Sequence, residues 1–334
     1  MKCAVQRGHC MISSRLWHSG WRWVRPLANP IWLLPVAAIV LLCPLLLNQY
    51  QLHVVTVVLI YVPLVLGQNL ITGNSGQVSM AHGAFYGVGA YATAILAGTY
   101  GWSTLAVLVV GMVAAGFLGL LIGLPAIRIS GDYLFIVTIG VNLAFLDVAS
   151  QWVSVTGGTS GLPGLPEPAF GSFVVGTYVR FYYFALIMAA VALAITAAVV
   201  HSRFGTVVEA VRDDPVAARA CGISLTPVRV AVFAIGAALA GLAGVTLGYF
   251  IGFVGPYDFG VEQSLLIFLM AILGGLGSIP GSIAGAAILV GLPEALRFLQ
   301  PYRLGLVGFL MMVLMIYRPQ GLLGRVNATN LIRK

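Results

Sequence analysis

Apolar runs of about 17–25 residues recur along the chain, each long enough to cross a bilayer as a helix. Short polar or Gly/Pro-rich stretches separate them, and basic residues gather in alternate connections. Because Lys and Arg mark the cytoplasmic side, this pattern predicts about ten spans. They fall at 31–47, 54–72, 80–99, 103–126, 133–151, 181–200, 229–252, 263–277, 282–299 and 304–317. The shorter alternating segments of an outer-membrane barrel are not found. The predicted fold class is all-α, a polytopic membrane helix bundle. An even span count puts both termini in the cytoplasm, and Arg128, Arg203, Arg212, Arg219 and Arg229 then share that side. The third, eighth and ninth spans are short or glycine-broken, so broken or re-entrant segments are expected there.

One stretch violates the apolar pattern. From Gly67 to Tyr91 the chain reads GQNLITGNSGQVSMAHGAFYGVGAY, with Gln68, Asn69, Thr72, Asn74, Gln77, Ser79 and His82 among six glycines. Lipid does not tolerate that density of amides and helix-weakening residues on a plain spanning helix. The stretch is either a loop between two helices or a broken segment buried in the bundle and lining a polar path. On the second reading Asn74, Gln77, Ser79 and His82 are the candidates for the path or its support. A weaker echo stands near the other end, where Gly274 to Ser282 reads GGLGSIPGS. Glycine-broken segments in corresponding halves point to a site near the membrane midplane.

Elsewhere small residues recur every four positions: Gly111, Ala115, Gly119 and Gly123 in the fourth span, and Gly236, Ala240, Gly244, Gly248 and Gly252 in the seventh. Such stripes let helix backbones approach closely and are read as architecture. The outer connection, 152–180, is rich in Gly and Pro and reads as shaped turns. The inner connection, 201–228, carries Asp214-Pro215, a helix N-cap followed by proline at the first position. A short helix from Val216 to Cys221 follows, and Gly222 stops it in the left-handed conformation. Thr226-Pro227 repeats the start signal.

Composition agrees with the pattern. Of 334 residues, 60% are hydrophobic and 8% charged, against roughly 25% charged in soluble domains. The net charge of +8 sits largely on the flanks, where it meets anionic membrane lipid rather than nucleic acid. Residues 1–30 form a basic cytoplasmic extension, 31–317 the transmembrane domain with the 201–228 loop, and 318–334 a basic cytoplasmic tail. The cysteines at 3, 10, 43 and 221 and the histidines at 9, 18, 53, 82 and 201 are scattered, so no disulfide framework or metal site is expected. The only lysines are Lys2 and Lys334, which leaves no phosphate-binding loop of the Gly-rich, Lys-Ser/Thr type. No nucleophile and base stand together, and no catalytic residue or bound cofactor is expected. A self-contained channel remains open at this point. A separately capped cytoplasmic helix instead fits a subunit driven by an outside ATPase.

Four motifs in one order carry a resemblance. GQNLITGNSGQVSMAHGAFYGVGAYATAIL, TGGTSGLPGLP at Thr156–Pro166, VRDDPVAARACGIS at 211–224 and AILGGLGSIPGSIAGA at 271–286 closely resemble the permease subunits of bacterial branched-chain amino acid ABC importers. The likeness is to the LivM type rather than its sister LivH, and YRPQGLLG at Tyr317–Gly324 shares it. The resemblance covers roughly residues 50 to 325. It implies a heterodimeric pore with a second permease subunit, in the inner membrane. Two cytoplasmic ATP-binding subunits would consume the ATP, and a periplasmic substrate-binding protein would deliver leucine, isoleucine or valine. Similar permeases serve urea and short amides. The inner loop resembles the docking motif of such subunits, with Ala217, Ala218 and Gly222 at the motif's spacing and Val216 where a glutamate is usual. The implied ATPase-coupling surface comprises Arg212, Asp213, Asp214, Ala217, Ala218, Arg219 and Gly222.

Overall fold

A computed structural model describes residues 47–126, 132–171, 173–295 and 320–324, with isolated positions between 41 and 44 and between 305 and 318. The chain divides into one unit of residues 1–47 with 326–334 and a second of 48–325. All helices and strands described belong to the second. The predicted first and tenth spans, the extension 1–30, Arg128 and the tail beyond 324 lie outside the described residues, apart from the isolated positions.

Besides a single helical turn at Val153–Thr156, ten α-helices are described among these residues, in order: α1 (Gln49–Asn69), α2 (His82–Ala92), α3 (Thr104–Ala126), α4 (Asp132–Gln151), α5 (Tyr178–Val200), α6 (Arg203–Asp213), α7 (Pro215–Ala220), α8 (Leu225–Ile251), α9 (Val261–Gly274) and α10 (Ile279–Ala295). A π-helical turn, Leu70–Asn74, extends α1, and another, Thr93–Thr99, extends α2. Among the described residues six helical segments are long and apolar enough to cross a membrane. The protein is thus a polytopic helical membrane protein.

Burial separates the helices into two groups. In the most apolar windows of α1 and α8, 67% and 72% of residues are buried, against 22% in α4 and 28% in α5. α1 and α8 are therefore the central pillars, packed on every side. The outer helices turn apolar side chains away from the protein, such as Leu105, Val113 and Phe117 on α3 and Ile136 on α4. In water this would be a liability, but lipid is as apolar as these side chains.

The small-residue stripes work in a different arrangement from the simple pairing of one with the other. The α3 stripe does meet α8, with Gly119 against the Phe233 carbonyl and Gly123 against Phe233. It meets the Ala237–Gly241 face, however, where a side chain on Gly241 would strike Ala115. Gly236, Gly244 and Gly248 face the other way, against Gly67 of α1, Ile71 of the π turn after it, and the Tyr86–Thr93 stretch of α2 and its extension. One helix with two small faces can hold three neighbours at close range, so α8 is the keystone. Gly252 is not part of this packing. It ends α8 in the left-handed conformation (φ 72°) with open space around it.

Two short strand pairs lie in the connections. β1 (Leu162–Pro163) pairs antiparallel with β4 (Phe253–Val254), while β2 (Ala169–Phe170) and β3 (Phe173–Val174) form a hairpin. The 152–177 segment is thereby fastened to the end of α8, with Gly164 and Leu165 N–H donating to the Gly252 carbonyl. The inner connection holds more helix than the sequence reading predicted, because α6 precedes the short capped helix. The start signal at Thr226-Pro227 is displaced. α8 begins at Leu225, so Pro227 sits in its first turn, where a missing N–H costs nothing.

Candidate functional site

α1 stops being an ordinary helix where its glycines and amides begin. It widens into the π turn at Leu70–Asn74, leaves helical geometry from Ser75 to Ala81, and resumes as α2 at His82. Gly76 takes φ 71°, a conformation that glycine adopts without strain. Most residues of the break are buried, so side chains meet the backbone groups it frees. The Gln68 amide donates to the Ser79 carbonyl and to Thr72 Oγ1, both at 2.9 Å. Ser75 Oγ donates to the Ile71 carbonyl at 2.7 Å, and Gln77 Nε2 donates to Ser75 Oγ at 2.8 Å. From neighbouring helices, Thr138 Oγ1 accepts the Met80 N–H at 2.9 Å and Ser264 Oγ accepts the Gly83 N–H at 2.8 Å. Ser264 also accepts from Asn142 Nδ2 at 2.8 Å, which ties α2, α4 and α9 at one oxygen.

The second glycine-rich stretch forms a sharp turn between α9 and α10, with Gly275 at φ 114° and Gly277 at φ 79°. The two breaks touch. Asn69 Oδ1 accepts the Gly277 N–H at 2.8 Å, and Asn69 Nδ2 donates to Ser282 Oγ at 2.7 Å and to the Ser278 carbonyl at 3.1 Å. A side chain on Gly73 would run into this bridge, at Asn69 Oδ1 and Gly277 N. The echo between the two segments is therefore a physical junction held by one carboxamide. The Tyr317–Gly324 motif serves the same place: Leu322 and Leu323 N–H donate to the Leu273 and Gly274 carbonyls at the buried end of α9.

The inner loop reaches this junction. Ser202 caps α6 by accepting the Gly205 N–H at 3.3 Å, and Val208 and Val211 bury the inner face of α6. That leaves Arg212 in the last turn, where its Nη1 donates to the Gly73 carbonyl at 2.6 Å. Its stem lies against Gly76, and the guanidinium against Gly277. α7 follows at once. Asp214 Oδ1 accepts Val216 N–H at 2.9 Å and Ala217 N–H at 3.0 Å, Pro215 occupies the first position, and Gly222 takes φ 82°.

The candidate residues thus fall into distinct places. Asn74 closes the π turn, Gln77 and Ser79 brace the break, and His82 opens α2; all four are buried. His82 packs edge-on against Phe85, and neither ring nitrogen has a partner among the described residues. On the loop, Asp213, Asp214, Ala217, Arg219 and Gly222 are exposed, as is Val216. Ala218 is buried, so it anchors α7 instead of presenting a surface. Sequence reasoning did not single out Asn69, Gln68, Asn142 or Ser264 as site residues. The available signals were an amide one turn before Gly73 and a lone amide at the middle of an apolar span.

A buried polar break in a bundle of apolar helices, tied to a capped helical loop, is the site of a polytopic membrane protein. A family profile described as the branched-chain amino acid transport system, permease component, matches residues 50–316. The chain belongs to this family and is a permease subunit. It is 32% identical over 319 residues to the high-affinity branched-chain amino acid transport system permease protein LivM of Salmonella typhimurium, covering 88% of this chain and 74% of that one. The identity to LivM of Escherichia coli K12 is 32% over 306 residues, covering 84% and 71%. LivH of Salmonella typhimurium is 31% identical over 307 residues, covering 83% and 95%. No solved structure matches the chain.

Proposed function

We propose that the chain is a LivM-like, membrane-spanning permease subunit of a binding-protein-dependent ABC importer for leucine, isoleucine and valine. The family match over residues 50–316 carries this reading. The subunit supplies half of the translocation pathway beside a second permease. ATP is used by two partner ATPases that dock on α7, a periplasmic protein delivers the substrate, and this chain binds no cofactor. The eight helical segments at α1–α5 and α8–α10, with the apolar runs 31–47 and 304–317, make ten crossings of the inner membrane. Both termini are then cytoplasmic, as is the loop carrying α6 and α7.

The contact between Arg212 and Gly73 supports a mechanism. ATP-driven closure of the ATPases displaces α7 and, with it, the end of α6. Arg212 hands that motion to the π turn and to the Asn69 bridge, where two breaks are already free of helical stiffness. α1 and α10 then tilt about these breaks and switch access from one side to the other.

Reconstitution tests the proposal. Uptake of leucine and of urea is measured in proteoliposomes holding this chain alone, and then the chain with its co-encoded permease, ATPases and binding protein. ATP-dependent leucine uptake only by the full set is the expected result. Uptake by the chain alone, without ATP, would show a self-contained channel; uptake of urea in place of leucine would replace the substrate class.

A further inference from the structure

The polar break occupies the α6 end of the bundle. At the other end of α1, about 18 Å away along the helix from Gly73 to Tyr61 at 1.5 Å per residue, lies a cavity of about 400 Å³ that the transport reading leaves unexplained. Its volume falls within the range for small-molecule sites. His53, Val57 and Tyr61 line it from one face of α1, while Leu247 and Phe250 of α8 form an apolar wall. Two carboxylates join the lining, Asp258 in the turn before α9 and Glu262 in its first turn.

Two further features show a built site rather than a cluster of surface acids. Tyr86 lines the cavity from α2, is 1% exposed, and its hydroxyl has no partner among the described residues. A buried phenol is costly unless something receives its proton. Gln263 Nε2 donates to Tyr61 Oη at 2.6 Å, which holds the neighbouring phenol in place, and the Gly255 N–H donates to Asp258 Oδ2 at 3.3 Å.

We propose that this cavity binds the free zwitterionic amino acid on its way into the bundle. Asp258 and Glu262 receive the α-ammonium, the Tyr86 hydroxyl donates to the carboxylate, and the branched side chain lies against Leu247 and Phe250. A bare cation would leave the apolar wall idle. A basic side chain of a docking protein would leave the buried hydroxyl unused. An amino acid with an apolar side chain uses all three surfaces. The site rests on the proposed function, since the α6–α7 loop must be cytoplasmic for the cavity to face the substrate supply. One turn from Tyr86 on α2 stands His82, the first residue of the helix that follows the polar break.

Equilibrium binding of radiolabelled leucine to the purified permease pair in nanodiscs, with the binding protein omitted, tests the site. Tyr86→Phe, Asp258→Asn and Glu262→Gln are each expected to raise the half-saturating leucine concentration about tenfold, a change of about 1.4 kcal/mol. 4-Methylpentanoate, leucine without its ammonium, should compete poorly against wild type and lose that disadvantage in the carboxylate variants. Unchanged leucine binding in all three variants overturns the site while leaving the importer reading intact. Weakened docking of the binding protein with unchanged leucine binding also overturns it, and assigns the acids to a protein interface. ATP-driven leucine uptake by the wild-type complex, measured in parallel, must be present. Its absence overturns the proposed function and the site together.

Discussion

Arg212 Nη1 donates to the Gly73 carbonyl at 2.6 Å, across 139 residues of sequence. The contact joins the last turn of a loop helix to the one turn of α1 whose hydrogen bonding is already loosened. An arginine here does two things at once: it satisfies a carbonyl freed by the break, and it carries force from α6 and α7 into the bundle. Replacing it by alanine removes a charge-assisted bond to a part-buried group, a loss of about 1.5–3 kcal/mol. In the assembled importer Arg212→Ala should cut substrate uptake at least tenfold while ATP hydrolysis persists. Parallel assays of uptake and phosphate release check this. A proportional fall in both rates argues against a coupling role.

Asn69 is the bridge between the two breaks, and nothing else of its size offers one acceptor and two donors there. Asn69→Leu keeps the volume and leaves the Gly277 N–H and the Ser278 carbonyl without this partner. Unsatisfied buried groups cost about 1–3 kcal/mol each. The variant should melt several degrees below wild type in detergent and exchange amide hydrogens faster at 275–282. Thermal unfolding and mass-spectrometric hydrogen exchange measure both.

Two glycines should respond in opposite ways. Gly73→Ala forces a methyl group into Asn69 and the Gly277 backbone, where neither can retreat without breaking the bridge. It should abolish monodisperse expression or transport. Gly98→Ala meets open space in the π turn after α2 and should be neutral or slightly stabilising, since alanine holds helix better by up to about 1 kcal/mol. Size-exclusion profiles of the two variants decide the matter.

Gly222→Val leaves contacts untouched, because nothing lies within reach of its side chain. The cost is conformational: φ 82° is strained for a β-branched residue by about 1–2 kcal/mol. The end of α7 must shift. Leucine uptake per ATP hydrolysed should drop several-fold while the amount of assembled complex stays normal. Gly222→Asn, which tolerates the left-handed region, should retain most of the coupling. Equal loss in both variants would contradict this account.

Much of the architecture was legible along the chain. Apolar length located the six described segments that are long enough to cross a bilayer within a few residues, because crossing demands a minimum run whatever the neighbours are. Asp214-Pro215 and Gly222 bound α7 as predicted, because capping chemistry acts over three or four residues. The 203–213 helix was harder to see. Its apolar face is made of a few valines, and it forms because Val208 and Val211 are buried against the bundle.

The stripes show the same division. Their four-residue spacing announced close packing, yet it did not announce that α3 packs against Ala237 and Gly241 of α8 while Gly236, Gly244 and Gly248 turn to α1 and α2. A helix buried on all sides carries no amphipathic signal to distinguish its faces. The polar residues from Gln68 to His82 likewise announced a departure from plain helix. Which of them would brace the backbone, and which would stand without a partner, depends on Thr138, Ser264 and Ser278.

By itself the sequence determined that the protein crosses the membrane many times, that no plain spanning helix runs through Gly67–Tyr91, and that a capped helix lies in the 201–228 loop. Each of these follows from local physics: the length of apolar runs, glycine's freedom and the reach of a capping side chain. Only the tertiary structure decided that Asn69 bridges Gly277 and Ser282, that Arg212 ends on the Gly73 carbonyl, and that Tyr86 lines a cavity beside Asp258. Those pairs stand more than a hundred residues apart in sequence. They meet because elements distant in sequence pack side by side: α9 and α10 against α1, α6 against the π turn, and the turn before α9 against α2.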